Sequence, residues 1–162
     1  MIKIQATDRG ISAALNRLIA ASENTQPYLT VIGKQLQTFT EQRFEKSTDP
    51  YGTSWKANSQ STRGKPSRKP LIGRTGALST RINQTILKDI VTISSPMAYA
   101  ATQQFGAKKG AFGKDRHNRP IPWGDIPARP FLPGKSKGLP EQLAGSIHAI
   151  LKSGLQRAWD GR

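Results

Sequence analysis

"RINQTILKDIVTISS", residues Arg81 to Ser95, sets two runs rich in β-branched residues on either side of Lys88-Asp89. Val, Ile and Thr favour the pleated backbone of a strand, and a two-residue polar centre suits a tight reversal, so the stretch predicts a β-hairpin from about Arg81 to Ser95. The rest of the chain is read outward from this hairpin.

Upstream, Thr7-Asp8 can cap a helix from about Arg9 to Ser22, with Ile11, Leu15, Leu18 and Ile19 along one face. Pro27 starts a second helix, from Tyr28 to about Lys46, striped by Leu29, Ile32, Leu36, Phe39 and Phe44. Asp49-Pro50-Tyr51-Gly52 has the residue order of a type I turn. "LIGRTGALSTRI" predicts a short turn of helix between two bends. Downstream, "MAYAATQQFG" predicts a short helix stopped by Gly106. "IPARPFLPG", residues 126–134, is too rich in proline for an inner strand and too apolar for a free linker. Its prolines restrict it to extended backbone, which predicts a third, edge strand from about Ala128 to Leu132. Pro140 opens a last helix reaching about Trp159, with Leu143, Ile147, Ile150, Leu151 and Leu155 on its inner face. The expected architecture is α+β. A small antiparallel sheet, hairpin plus edge strand, is packed by N-terminal and C-terminal helices in a single domain over residues 1–162, with residues 8–48 as its helical N-terminal part.

The formal net charge is +15 over 162 residues, and it is unevenly placed. Residues 1–50 carry six Lys/Arg against five Asp/Glu. Residues 51–88 carry eight cations and no carboxylate, and residues 106–138 carry eight against two. Both stretches are rich in Gly, Pro and Ser, and they predict two long basic loops, 53–70 and 106–125. Lys56, Arg63, Lys65, Arg68 and Lys69 in the first, and Lys108, Lys109 and Lys114 in the second, are expected to face a negatively charged partner, nucleic acid or an acidic protein ring. The first loop has no apolar residue larger than alanine between Lys56 and Pro70 and is expected to be mobile.

Absent residues exclude several chemistries. With no cysteine there is no disulfide, thiolate nucleophile or cysteine-bound zinc. No run approaches the roughly 20 apolar residues that span a bilayer, and the N-terminus lacks a signal-peptide pattern, so no membrane is expected as a partner and the chain is expected to stay in the cytosol. His117 and His148 lack metal-ligand or hydrolytic spacing. Glu41 and Glu45 share a helix face, but Arg43 and Lys46 beside them make it a solvated charged face. "GKPS", residues 64–67, lacks the leading glycine and the context of a phosphate loop. No enzyme and no cofactor are expected. Trp55 follows a turn closely and reads as an anchor packing the loop onto the second helix, with stacking on bases as the alternative.

Five blocks in order, "RFEKSTDPYGTSW", "LIGRTGALSTRI", a hairpin, "YAATQQFG" and "IPARPFL", resemble the phage virion morphogenesis family, the tail completion proteins of contractile-tailed phages such as the Mu-like G protein and its relatives. The matching places include Phe44, Trp55, Gly76, Tyr99, Phe105, Gly106, Arg129, Pro130 and Phe131, and Pro133 ahead of Gly134 departs from the family pattern. The resemblance implies a structural, non-enzymatic protein of the virion neck, assembled in the host cytoplasm, that joins the head-proximal end of a tail to a DNA-filled head. It implies a homo-oligomeric ring, commonly of six subunits, between a tail terminator or tube ring and the head connector or adaptor proteins, in transient contact with packaged DNA. On that reading Arg129, Phe131, Pro130, Trp55, Tyr99 and Phe105 are the candidate subunit or partner interface. Arg129 and Phe131 would meet a neighbour across the edge strand, while the alternative for Phe131 and Leu132 is closure of the domain's own core. The competing class is a sequence-independent nucleic-acid-binding basic protein, suggested by the isoelectric point of about 10.7.

Overall fold

The computed structural model describes residues 9–58, 69–72, 75–134 and 136–161. Two long helices come first, α1 (Arg9–Glu23) and α2 (Gln26–Lys46). The short helix α3 (Ala77–Thr80), the strands β1 (Asn83–Leu87) and β2 (Ile90–Ser94), the short helix α4 (Ala100–Phe105) and the long helix α5 (Glu141–Asp160) follow. The fold is the small α+β arrangement that the sequence implies.

The hairpin forms around Lys88-Asp89, with Asn83 opposite Ser94 and Leu87 opposite Ile90. Its turn is pinned to the start of α2. The Thr25 hydroxyl donates to Asp89 Oδ1 (2.7 Å) and Gln26 Nε2 to the Lys88 carbonyl (3.0 Å). Alternation along both strands leaves Gln84, Ile86, Val91 and Ile93 half-buried and their neighbours exposed, as expected for a sheet with one face covered. That cover is α2, which packs on both strands. Gly33 lets it come close, because a Cβ there would collide with the Gln84 side chain.

Beyond α2 the chain turns back on itself. Ser47 takes the left-handed conformation (φ 54°), and Asp49 Oδ1 accepts the N–H groups of Tyr51 and Thr53, each at 2.8 Å. The expected turn closes from Gly52 N–H to the Asp49 carbonyl (3.1 Å), and Trp55 N–H then reaches the Ser47 carbonyl (2.8 Å). This reversal lays Trp55 against Phe44 with ring centroids 5.5 Å apart and near edge-on, a favoured aromatic geometry. Phe131 meets the same phenyl ring at 5.3 Å, and Leu78 and Ile82 complete the buried cluster.

The helix α5 packs on α1 and α2. Arg17 joins α1 to its C-terminal end, donating from Nε to the Ala158 carbonyl (3.0 Å) and from Nη2 to that of Trp159 (2.7 Å), where a cation also meets the negative end of the helix dipole. The expected inner faces are only partly inside. Leu143 is buried, but Leu151 and Leu155 are exposed, and on α1 Ile11, Leu15 and Ile19 are each about half exposed. Two helices touching along one line cannot cover each other's full apolar stripe without a third element. The predicted third strand is also corrected. Residues 128–132 run extended, but the described sheet has two strands only, since Pro127, Pro130 and Pro133 have no N–H for a ladder.

Tyr28 lies over Gly154 of α5 so closely that a Cβ at Gly154 would strike its ring, whereas a Cβ at Gly145 meets nothing within 4 Å. Gly154→Ala is expected to destabilise by about 1–3 kcal/mol through overpacking. Gly145→Ala is expected to stabilise by up to about 1 kcal/mol through helix propensity. Urea unfolding of the two variants beside the parent chain checks both signs.

Candidate interaction surface

The proline-rich segment is held by a glutamine instead of a strand. Gln104, on α4 and 9% exposed, accepts the N–H groups of Phe131 (2.9 Å) and Leu132 (3.1 Å) at Oε1 and donates from Nε2 to the Leu132 carbonyl (2.9 Å). The N–H of Arg129 goes to the Gln103 carbonyl at 2.8 Å. Gly106 makes the approach possible, since at φ 75° a Cβ would lie 2.7 Å from the Ile126 carbonyl oxygen and 2.8 Å from Ala128 N.

Arg129, expected to meet a neighbour, turns its guanidinium into its own subunit. It is 8% exposed, donating from Nε to the Lys56 carbonyl (2.8 Å) and from Nη2 to that of Ala57 (3.1 Å). Burial draws its pKa below the ordinary arginine value, with no loss of charge at physiological pH. Trp55 is buried too, its indole N–H on the Pro130 carbonyl at 2.8 Å, and is therefore the anchor and not a stacking platform. Phe131 is 1% exposed and belongs to the core, with Pro130 half-buried beside it. The residues expected to meet a neighbour thus fasten 129–132 to 55–57 within one subunit. Tyr99 and Phe105 do lie open, at 46% and 78% exposed.

The second basic loop is an internally bonded arm. Ala107 and Ile126 exchange backbone hydrogen bonds at its base (3.0 and 2.8 Å). Further out, Gly110 N–H reaches the Pro122 carbonyl, Phe112 N–H that of Ile121, and Ile121 N–H that of Gly113, at 2.8 to 3.0 Å. Asp115 closes the tip. Its Oδ1 accepts the N–H groups of His117 (2.8 Å) and Arg119 (3.0 Å), and its Oδ2 pairs with the Arg119 guanidinium. Asp125 closes the base through Lys109 N–H and Lys108 Nζ, both at 2.9 Å. Phe112, Ile121 and Trp123 are exposed along the arm, and the Arg119 guanidinium lies 4.7 Å from the Trp123 ring centroid.

Residues 6–156 match the phage virion morphogenesis family. The chain belongs to that family. Its role accordingly lies in building the phage particle, as a virion component. No curated protein and no solved structure matches the chain. Among the described residues no helix is long and apolar enough to cross a membrane.

In this family member the cations predicted to face a partner fall into three groups. Lys108, Lys109 and Lys114 are exposed on the arm, with Lys108 paired to Asp125. The side chain of Lys56 is exposed, while Lys69 donates from Nζ to the Glu45 carbonyl at 3.0 Å. Arg63, Lys65 and Arg68, and most of the loop expected to be mobile, lie outside the described residues. The remaining polar candidates are scattered. His117 Nε2 accepts from Arg116 Nε (3.1 Å), His148 stands beside the α1–α5 groove, and Glu41 accepts from Gln37 Nε2 (3.0 Å). Sequence reasoning missed Gln104 and the bracing roles of Asp115 and Asp125. An isolated carboxylate in a cationic glycine-rich loop was the available signal for the last two.

Two tests follow from this geometry. Gln104→Leu leaves two amides and a carbonyl without partners and is expected to cost at least about 2 kcal/mol, and Arg129→Ala about 1–3 kcal/mol through the stranded carbonyls of residues 56 and 57. Both should lower the thermal midpoint, with Phe131→Ala, at about 3–5 kcal/mol, as the core reference. The Asp115 carboxyl is held below the ordinary carboxylate range, first by the Arg119 backbone N–H and then, against some desolvation, by the Arg119 guanidinium and the His117 N–H. Because the folded value is depressed, the tip's contribution is complete above the ordinary Asp value of about 3.9 and is lost only as pH falls through the lower folded one. The Asp115 side-chain carboxyl resonance should titrate only below about 4, with the Arg119 amide moving alongside it, and Asp115→Asn should remove that low-pH step.

Proposed function

We propose that this chain is a non-enzymatic tail completion protein of the virion neck, set in a ring at the head-proximal end of the tail, where it joins the tail to the DNA-filled head. The ring is a homo-oligomer, commonly six subunits in such positions, between a tail terminator or tube ring and the head connector or adaptor proteins. The family assignment supports a morphogenetic role. The observation that carries the finer reading is the split between a fastened interior and two unlike exposed surfaces. A cation that could have served a partner, Arg129, is spent on the interior, while exposed cations and aromatic side chains gather on the arm. The groove between α1 and α5, of about 860 Å³ and lined by Leu15, Leu18, Ile19, Leu151, Leu155 and Trp159 among others, is the second surface. A cationic arm and an apolar groove suit different partners, as a subunit standing between unlike assemblies requires.

The +15 charge favours a second reading, a sequence-independent nucleic-acid binder. Salt separates the two. A dedicated binder holds DNA at physiological ionic strength, whereas a neck protein in passing contact with the packaged genome releases it well below that. A phage lacking this protein is expected to accumulate DNA-filled heads and full-length tails that do not join, counted by electron microscopy. Absence of tails, or empty heads alone, would remove the chain from the joining step.

A further inference from the structure

We infer that the arm from Ala107 to Ile126 is a docking element for a different virion protein, one whose surface carries carboxylates around an apolar centre. The inference deepens the proposed place of the chain in the virion and rests on it for the setting of the partner. Three observations carry it. First, the arm holds five Lys/Arg and two Asp, and both carboxylates are committed internally, Asp125 to the base and Asp115 to the tip. Lys109 and Lys114 have no ion-pair partner among the described residues and are exposed, so the arm presents unbalanced positive charge. Secondly, apolar side chains are interleaved with those cations. Trp123 is 67% exposed and Phe112 56%, with Phe105 at 78% beside the base of the arm. Apolar anchors surrounded by cations ask for a complementary apolar patch with an acidic rim. Thirdly, the arm's backbone is already paired within itself, so its shape is set before the partner arrives, which lowers the cost of docking.

The same features decide among occupants. A phosphate backbone would take up the cations but has nothing for the exposed apolar side chains of Phe112 and Ile121. A second copy offers little acidic complement. Residues 1–50 carry six cations against five carboxylates, and residues 139–162 carry Lys152, Arg157 and Arg162 against Glu141 and Asp160. Neither of these least basic stretches reaches a net negative charge, so neither gives the arm's cations an acidic complement.

The experiment places a photo-crosslinking residue on the arm of the full chain, as Trp123→p-benzoylphenylalanine and separately Phe112→p-benzoylphenylalanine, during phage growth, and identifies the joined peptide by mass spectrometry. The expected product is a peptide of another virion protein rich in Asp and Glu. Its yield should fall about tenfold when Lys109→Glu and Lys114→Glu are combined on the same chain, since like charges across an interface repel. Thermal melting of the variant should match the parent, because neither lysine touches the core. Crosslinks to DNA, crosslinks to a second copy of this chain, or a yield indifferent to the two charge reversals would each overturn the inference. The readout does not depend on the joining role. A deletion phage that fails to show separated heads and tails would sink the neck reading and leave an acidic crosslinked partner standing, and the converse pattern would do the reverse.

Discussion

A segment with three prolines in seven residues has few amide hydrogens to offer, and those few must be bonded if Phe131 is to sit in a dry core. Gln104 meets that constraint with one side chain. Its carbonyl oxygen takes two consecutive N–H groups and its amide returns a hydrogen to Leu132, three of the bonds that a neighbouring strand would have supplied. Once the segment is fixed, Phe131 reaches Phe44, the Pro130 carbonyl receives the Trp55 indole, and Arg129 gathers the carbonyls of residues 56 and 57. The buried cluster therefore draws on α2, the turn after it, and a segment more than seventy residues further along, closed by a handful of polar contacts.

Local signals in the sequence were enough for the helices, the hairpin and the type I turn, because periodicity, turn chemistry and β-branching act over a few residues, while the Thr7-Asp8 cap lies outside the described residues. The register of the hairpin and the stop at Gly106 follow from the same short-range chemistry. The fate of Ala128 to Leu132 was not legible in that way. Extended backbone could be read from the prolines, but whether its partner is a strand, a side chain or another subunit depends on Gln104, some twenty-five residues away. A glutamine on a short helix carries no mark of its burial. Arg129 was misplaced for a related reason. An arginine beside prolines is read as exposed, whereas here its planar fork bridges two carbonyls that a compact core had left facing inward.

Charge divides this molecule into parts with different tasks. Within the body several cations are tied down: Arg129 in the core, Arg17 on the end of α5, Arg43 over the Phe39 ring at 4.3 Å, and Lys69 on the last turn of α2. On the arm the carboxylates are tied down instead, and the lysines stay in water. A net charge computed for the whole chain cannot distinguish these cases, since the same +15 counts a buried fork and a solvated ammonium alike. Only the outward share can act on a partner, and among the described residues the arm contributes the exposed Lys108, Lys109 and Lys114 to it.

The bonds that shape the arm join residues to others of the same arm, and its connection to the body runs through the pairing of Ala107 with Ile126. Opening the tip therefore exposes little apolar surface that the core needs, and the core can remain closed while the tip changes. That separation has a consequence for a protein that must bind while staying folded. Substitutions at Phe112, Lys114 or Trp123 alter what the arm meets without drawing on the contacts around Phe44, whereas any change at Gln104 or Arg129 alters both the stability and the base from which the arm extends. Two residues linking the proline segment to the body thus hold the frame, and the exposed side chains of the arm can change without disturbing it.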